Sequence, residues 1–397
     1  MKVKISTLKK LTAISFITLF AAFLVIPNTG LPRSAENAKI VALENRRITA
    51  FPTASTDSKK FYSEFEKWYY DRLRFRTNAI SLWGQANYKI DISVKDDIII
   101  GPNDWLFSKA RCLRAFNDAG KKVELVKAMQ EYCVSKNKLF WLAVPPNSES
   151  IYRDIFPEKE KKKLKEPEYF NIKAKNLFKE NNINYISLKE PLLQARHESP
   201  SNDLYFKDDH HWSYYGASIG ADTILNEIKN TMSKFNYDGL HLDGSTRNAY
   251  KSCYYSNTLG FNQSYSTIAP WSKKFTNQIY LTRFDGKTIK LDRVVSHDIL
   301  WKNMAFGEAV ITNKAINNNI KLLIIGDSYS SYMMPYLSQY LYQVISTSWT
   351  SCQGNKKYVS LSHLIKKYNP DIVMFEILEN DFFHPYFKSY QKIKIKD

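Results

Sequence analysis

Two places in the sequence hold residues whose types and spacing could do chemistry together. One is Tyr205-Phe206-Lys207-Asp208-Asp209-His210-His211-Trp212; the other is the turn Gly326-Asp327-Ser328 at the end of the apolar run Leu322-Leu323-Ile324-Ile325. An imidazole that is to take a serine proton needs a carboxylate on its other ring nitrogen, which fixes the tautomer and stabilises the imidazolium. Asp209 stands two residues before His211 and Asp208 three before it, so either carboxylate can reach that ring within one loop. A nucleophilic serine must sit on a sharp turn, and the step from a buried strand into a helix start provides one with favourable potential for a developing oxyanion. Each stretch also has a plainer reading. Gly-Asp-Ser is ordinary turn and N-cap chemistry, and the acids could simply favour the dipole of a following helix. A metal site is disfavoured, because adjacent residues do not readily all turn to one ion and no further ligand motif stands nearby.

The elements around these stretches must bring them together. Val123 to Lys136 carries Leu125, Val126, Met129, Tyr132 and Cys133 at helical spacing, and Leu139 to Val144 is a continuous apolar run ended by Pro145-Pro146-Asn147, as in a strand buried on both faces. A helix over Glu158 to Glu180, a short strand over Asn184 to Leu188 and a helix with Ala217, Ala221, Ile224, Leu225 and Ile228 on one face follow, with Ser213 as its expected N-cap. After a Tyr-, Asn- and Ser-rich middle, residues 234–319, the pattern returns with a strand at Leu322 to Ile325, a helix from about Ser330 to Tyr342, a helix at Leu361 to Tyr368 and a strand at Asp371 to Leu378. Alternating strands and helices predict an α/β fold with a mostly parallel sheet flanked by helices and sites at the carboxyl ends of its strands. The middle reads as a possible irregular insertion. Further upstream, Phe61, Phe65, Trp68 and Tyr69 fall on one helical face and are expected to pack in a core.

The chain has 397 residues, 44% of them hydrophobic, which is ample for a full core. Its formal net charge of +18 suits an anionic glycan or a membrane surface. No zinc-finger, P-loop or RNA-binding motif accompanies that charge, so nucleic acid is not an expected partner. The cysteines Cys112, Cys133, Cys253 and Cys352 contain no Cys-x-x-Cys pair, and disulfides are permitted without a readable pairing. Lys2, Lys4, Lys9 and Lys10 precede the apolar run Leu11 to Ile26, the layout of an export signal. With no clear Ala-x-Ala site following, residues 1–28 read as a signal anchor in preference to a removed signal peptide, 29–60 as a tether and 61–397 as one folded domain, with everything after the anchor outside the cytoplasm.

Asp209-His210-His211-Trp212 followed downstream by Gly326-Asp327-Ser328-Tyr329 resembles the SGNH-hydrolase-like proteins of the alginate O-acetyltransferase group, the AlgJ- and AlgX-like "DHHW" proteins. Glu44-Asn45-Arg46, Trp105-Leu106-Phe107, Val144-Pro145-Pro146-Asn147 with Ile151-Tyr152, and Phe375-Glu376-Ile377-Leu378-Glu379 match in order. The resemblance implies an SGNH-hydrolase-like fold with Ser328 as nucleophile, His211 rather than His210 as base, and Asp209 as its orienter, with no cofactor and no metal. It also implies a periplasmic enzyme, anchored to the inner membrane through its N-terminal segment. That enzyme would transfer acetyl groups to hydroxyls of an exported polysaccharide, using acetyl supplied by a membrane-bound O-acyltransferase. An acetylesterase with the same triad, or a non-catalytic glycan-binding assembly protein on the same fold, are the alternatives. Two departures stand out: Glu379 is followed by Asn380 where the family usually has arginine, and the residues after Asp381 leave no room for a carbohydrate-binding module like the one that ends AlgX, which points to the anchored, module-free members.

Overall fold

Apolar runs bounded by turn residues become the inner strands of a mixed sheet. The computed structural model describes residues 14–15, 17–18, 48–53, 58–71, 76–90, 92–93, 97–112, 120–162, 167–242, 244–250, 255–256, 259, 265–271, 278–291, 297–383 and 392–396. The anchor and most of the tether lie outside them, as do Glu44-Asn45-Arg46 and Cys253. Among the described residues no helix is long and apolar enough to cross a membrane.

The chain divides into two compact units, residues 1–100 with 251–264 and residues 101–250 with 265–397. In the first, α1 (Ser58–Tyr70) and α2 (Arg76–Tyr88) are helices. The expected core stripe of α1 is not a core, since the helix carries no buried residue. Helical spacing instead lays the rings over one another: Phe65 stacks on Phe61 at 6.2 Å and on Trp68 at 5.5 Å, and Phe51 meets Trp68 edge-on at 4.9 Å.

In the second unit the chain runs through α3 (Gly120–Ser135), β1 (Leu139–Val144), α4 (Pro167–Glu180), β2 (Tyr185–Ser187), α5 (Lys189–Glu198), α6 (Tyr214–Thr231), β3 (Gly244–Tyr250) and β4 (Tyr265–Trp271). It continues through β5 (Ile279–Thr282), β6 (Thr288–Leu291), α7 (His297–Phe306), β7 (Ala309–Asn313), β8 (Lys321–Gly326), α8 (Ser328–Leu337), β9 (Gln343–Ser348), α9 (Leu361–Tyr368), β10 (Ile372–Glu376) and α10 (Glu379–Phe383). The sheet order is β2-β1-β10-β8-β9-β7-β5-β6. The first five strands are parallel, and β7, β5 and β6 continue the sheet antiparallel. Residues 234–319, read as a possible insertion, therefore supply three strands of the main sheet. Within that segment the ribbon of β3 and β4 stands apart from the main sheet. Short polar-flanked strands such as Thr288–Leu291, exposed over three of four positions, give little apolar signal to read.

The helical stretch expected over 158–180 is two pieces, a single turn at Glu158–Lys161 and α4, which begins at Pro167 because proline fits a first helical position and not an interior one. Strand β8 is buried along nearly its whole length, as a central parallel strand must be. Leu323 and Ile325 pack with Val126 and Met129 of α3 and Leu364 of α9. Alternation turns Leu322 and Ile324 to the other face, where α8 crosses β8 and packs against α6. Cys133 and Cys352 are free thiols, the Cys112 thiol donates to the Ser108 carbonyl at 3.4 Å, and burial pushes the Cys133 thiol up to about 12.

Residues 205–212 form a tight loop closed by a bridge between Tyr205 and Trp212, with the Phe206 N–H donating to the His211 carbonyl at 3.1 Å. It is sealed to α6 at the Ser213 cap, whose side chain accepts from the Gly216 N–H at 3.1 Å while its own N–H donates to the Leu204 carbonyl at 2.8 Å. The close approach requires glycine: a Cβ at Gly216 would lie 2.1 Å from the Leu204 carbonyl oxygen. Gly216→Ala is expected to cost about 2 kcal/mol or more and to lower the melting temperature by several degrees; an unchanged melt followed by circular dichroism would contradict this account of the loop.

Candidate active site

The strand order makes a crevice. Strand β1 leads outward to β2, β8 leads the other way to β9, and β10 lies between β1 and β8, so their carboxyl ends meet where the winding reverses. The segments leaving these ends, 145–147, 327–328 and 377–379, are tied together. The Asp327 side chain accepts from the Leu378 N–H at 3.2 Å, the Glu379 side chain accepts from the Asn147 N–H at 3.2 Å and from Ser150 Oγ at 2.6 Å, and the Tyr205 hydroxyl donates to the Pro146 carbonyl at 2.6 Å. The last of these moors the 205–212 loop over the crevice.

Ser328 is the first residue of α8, two residues earlier than the sequence pattern places that helix. Asp327 is the reason. Its side chain accepts from the Tyr329 N–H at 2.8 Å and caps the helix, so the plain N-cap reading of Gly-Asp-Ser and the nucleophile reading both describe this turn. A first-turn N–H has no carbonyl within the helix to bond, so the Ser328 N–H remains a donor for other groups.

His211 Nε2 lies 2.6 Å from Ser328 Oγ, and His211 Nδ1 lies 3.0 Å from Asp209 Oδ1. All three expected residues thus come together, with the carboxylate at the two-residue spacing against the ring. Asp208 is fully buried in the same loop. His210 also places its Nδ1 3.0 Å from Asp209 Oδ1, with its ring 3.9 Å from that of His211. The loop is pinned to α8 from two sides: Trp212 Nε1 donates to the Tyr329 carbonyl at 3.2 Å, and the Tyr329 hydroxyl donates to the His210 carbonyl.

Charges sort themselves by partner. Burial alone would raise the Asp209 carboxyl, but the imidazoles of His211 and His210 outweigh it and hold the group well below the usual carboxylate range. Burial, and then the charge of Arg111, push His210 down to about 3, so that ring is neutral at physiological pH. Asp327 is pushed up to about 6 by burial and by the neighbouring Asp381. Asp209, His210 and His211 have ligand atoms within 4.8 Å of one another and are close enough to share an ion. Such an ion would have to take His211 Nδ1 from Asp209 or Nε2 from Ser328, so the contacts observed favour proton transfer over ligation.

Residues 98–252 match the family described as "SGNH hydrolase-like domain, acetyltransferase AlgX", a span that includes Asp209 and His211 and ends before Ser328. The probable alginate O-acetylase AlgJ of Azotobacter vinelandii is 25% identical over 168 residues, 42% of this chain and 42% of that protein, so the match spans less than half the length of this relative. Among solved structures, Bacillus cereus PatB1 is 19% identical, covering 74% of this chain and 99% of its own, with a TM-score of 0.56. A DHHW family protein from Eubacterium siraeum is 14% identical, covering 74% of this chain and 93% of its own, with a TM-score of 0.53. Over residues 98–252 the chain is thus similar to the SGNH hydrolase-like domain of AlgX, and it shares its fold with PatB1 and the DHHW family protein.

The sequence pattern left the part played by two groups that shape the site unassigned. Glu376 ends the otherwise apolar strand β10 and is fully buried beside the serine turn; a lone acid closing an apolar run was the available signal. Glu379, given no role by the sequence beyond its place in the matching stretch and the asparagine that follows it, bridges the loops after β1 and β10.

The raised carboxyl of Asp327 has a measurable consequence. Its folded pKa lies above the unfolded value of about 3.9, so the unfolded chain gives up the proton first, and this group lowers stability as pH rises from about 4 toward 6. Asp327→Asn removes that titration. The stability of the wild type relative to the variant should therefore fall between pH 4 and 6 in denaturant melts; a gap independent of pH would rule out the shifted carboxyl.

Proposed function

We propose that the chain is an O-acetyltransferase that acylates hydroxyls of an exported polysaccharide through an acetyl-serine intermediate. The observation that carries this reading is the unbroken line from Asp209 Oδ1 through the His211 ring to Ser328 Oγ, at 3.0 and 2.6 Å. Acetyl chemistry is supported by the AlgX acetyltransferase domain that residues 98–252 match, and by the alginate O-acetylase name of the Azotobacter relative.

In the first half-reaction His211 Nε2 takes the Ser328 proton as Oγ attacks the acetyl carbonyl of the donor. The Ser328 N–H faces the oxyanion, the tetrahedral species collapses, and the leaving group departs with the proton from His211. Acetyl-Ser328 results. In the second half, a sugar hydroxyl gives its proton to His211 and attacks the acetyl carbonyl, and Ser328 Oγ leaves and regains a proton from the imidazolium. Asp209, held ionised by its two imidazole neighbours, keeps the ring in the required tautomer throughout. Neutral His210 adds no second positive charge beside the imidazolium.

The surroundings follow from the same reading. The charged-then-apolar start of the sequence supports an anchored protein at the inner membrane with its body in the periplasm, and a membrane-bound O-acyltransferase is the partner that would supply acetyl there. The net charge of +18 suits a polyanionic acceptor. Water entering in place of the sugar would make the same triad an esterase.

The protein incubated with an acetyl ester donor and oligosaccharide should give acetylated oligosaccharide; release of acetate alone would establish hydrolysis. Ser328→Ala should form no acetyl-enzyme by intact mass, and an acetyl adduct on that variant would refute the nucleophile. Asp209→Asn should lower kcat by about three to four orders of magnitude, whereas Asp208→Asn, away from the ring contact, should lower it far less. Equal losses would mean the 3.0 Å Asp209 contact does not orient the base.

A further inference from the structure

We propose that Glu376 is a positioning residue for the Ser328 nucleophile, its carboxyl clamping the strand-to-helix turn on both sides of the serine so that Oγ meets His211. The inference rests on the reading of Ser328 as the nucleophile. Glu376 is the last residue of β10 and is fully buried, with β8 as its neighbour strand. One of its oxygens, Oε2, accepts from the Asp327 N–H at 2.9 Å and from Ser330 Oγ at 2.6 Å. Asp327 immediately precedes Ser328 and Ser330 follows it by two positions, so the two bonds bracket the nucleophile.

The fit is tight. A Cβ at Gly326 would lie 2.7 Å from Glu376 Oε2 and 1.9 Å from Ser330 Oγ, so the carboxyl and the hydroxyl fill the space that any other residue at 326 would need. Glycine there admits the clamp. Sterics thus couple the three groups: the strand end of β8 can come close only because Gly326 has no side chain, and the polar contacts hold it there.

The chemistry of the group is unusual for a structural residue. Among the described residues its other oxygen, Oε1, has no hydrogen-bond partner, and the hydrogen bonds of Oε2 come from an amide and a hydroxyl. Burial, and next the adjacent Asp327 carboxyl, raise the Glu376 carboxyl well above the usual range. An apolar side chain of similar size would fill the end of β10 without the cost of burying a polar group that is only half bonded. What a leucine could not do is grip the backbone N–H of 327 and the hydroxyl of 330 together. Asp327 gives its side chain to the N–H groups of Tyr329 and Leu378, and the Glu376 contact to its backbone N–H adds a second tie between the turn and the end of β10, placed directly before the serine.

The test compares Glu376→Gln, Glu376→Leu and Ser330→Ala in the full chain. Readouts are kcat and KM for p-nitrophenyl acetate and the rate at which phenylmethylsulfonyl fluoride modifies Ser328, followed by intact mass. Glutamine keeps an oxygen that can accept both bonds and should retain kcat within about threefold. Leucine should lower kcat and the modification rate by about 100-fold, with KM within about threefold, as for a group that acts on the reacting atom and not on substrate binding. Ser330→Ala removes one of the two bonds and should fall between them. A folded Glu376→Leu with wild-type kcat, or Gln as damaging as Leu, would overturn the proposal. If Glu376→Leu does not fold, Ser330→Ala decides, and a wild-type rate for it counts against the clamp. Ser328→Ala separates the two readings: turnover surviving in that variant refutes the nucleophile itself, whereas a dead Ser328→Ala beside a fully active Glu376→Leu refutes only the clamp.

Discussion

The contact between Ser328 Oγ and His211 Nε2 joins two segments 117 positions apart, and most of the second unit is arranged to hold it at 2.6 Å. A hydrogen bond of that length tolerates little drift in either partner. Neither residue belongs to the interior of a long element that would be rigid on its own. His211 sits in a loop, and Ser328 occupies the first position of a ten-residue helix. Precision therefore has to come from what grips the ends of those elements. The Ser213 cap and the glycine contact at 216 lock the loop to α6. The Asp327 cap locks the serine turn to α8, and the packing of α6 on α8 brings the two capped starts face to face. Each cap is worth only about 1 kcal/mol, but both act at the position where angular error would most displace the reacting atoms.

Electrostatics divides four buried acids of the crevice into two kinds. Asp209 faces two imidazoles and stays ionised, as an orienting carboxylate must. Asp327 and Glu376 lie against each other and against N–H and O–H donors, and both are raised. Glu379 takes the backbone N–H of Asn147 and the Ser150 hydroxyl, with Lys189 Nζ at 4.0 Å from its other oxygen. Asp209 faces the ring through which a proton is to be moved, while the other three carboxyls, bonded to N–H and O–H groups, serve as braces beneath and beside the turn. Placing the braces at the carboxyl ends of β8 and β10 and the orienting carboxylate on the 205–212 loop separates the two tasks. The proton relay can change its charge during turnover without asking the braces to respond.

The sheet explains why these groups meet where they do. A parallel strand buried on both faces must leave at its carboxyl end through a turn, and at the reversal of winding three such turns come out side by side. The antiparallel continuation through β7, β5 and β6 widens the sheet on the side away from β1 and β2, and it covers an edge that β9 would otherwise expose.

The sequence by itself determined a good deal. Continuous apolar runs at Leu139 to Val144 and Leu322 to Ile325 announced buried parallel strands, because such runs have few other uses in a chain of alternating helices and strands. Ser213 announced its cap by type and place. Asp209, His211 and Ser328 could be picked out because the chemistry of a base and its orienter restricts residue type and short spacing, and the order of the motifs resembled a known family. What lay beyond reach was everything set by distance across the chain. Only the tertiary structure decided that Asp209, and not Asp208, turns to the ring, since both spacings allow it and the backbone of the loop makes the choice. Only the fold put Glu376 beneath the serine turn, through the pairing of β10 with β8, and joined residues 279–313 to the main sheet. The aromatic stripe of α1 carried the pattern of a core face, yet its rings found one another instead. Periodicity reports that a face is apolar; what that face meets depends on how the chain comes together in space.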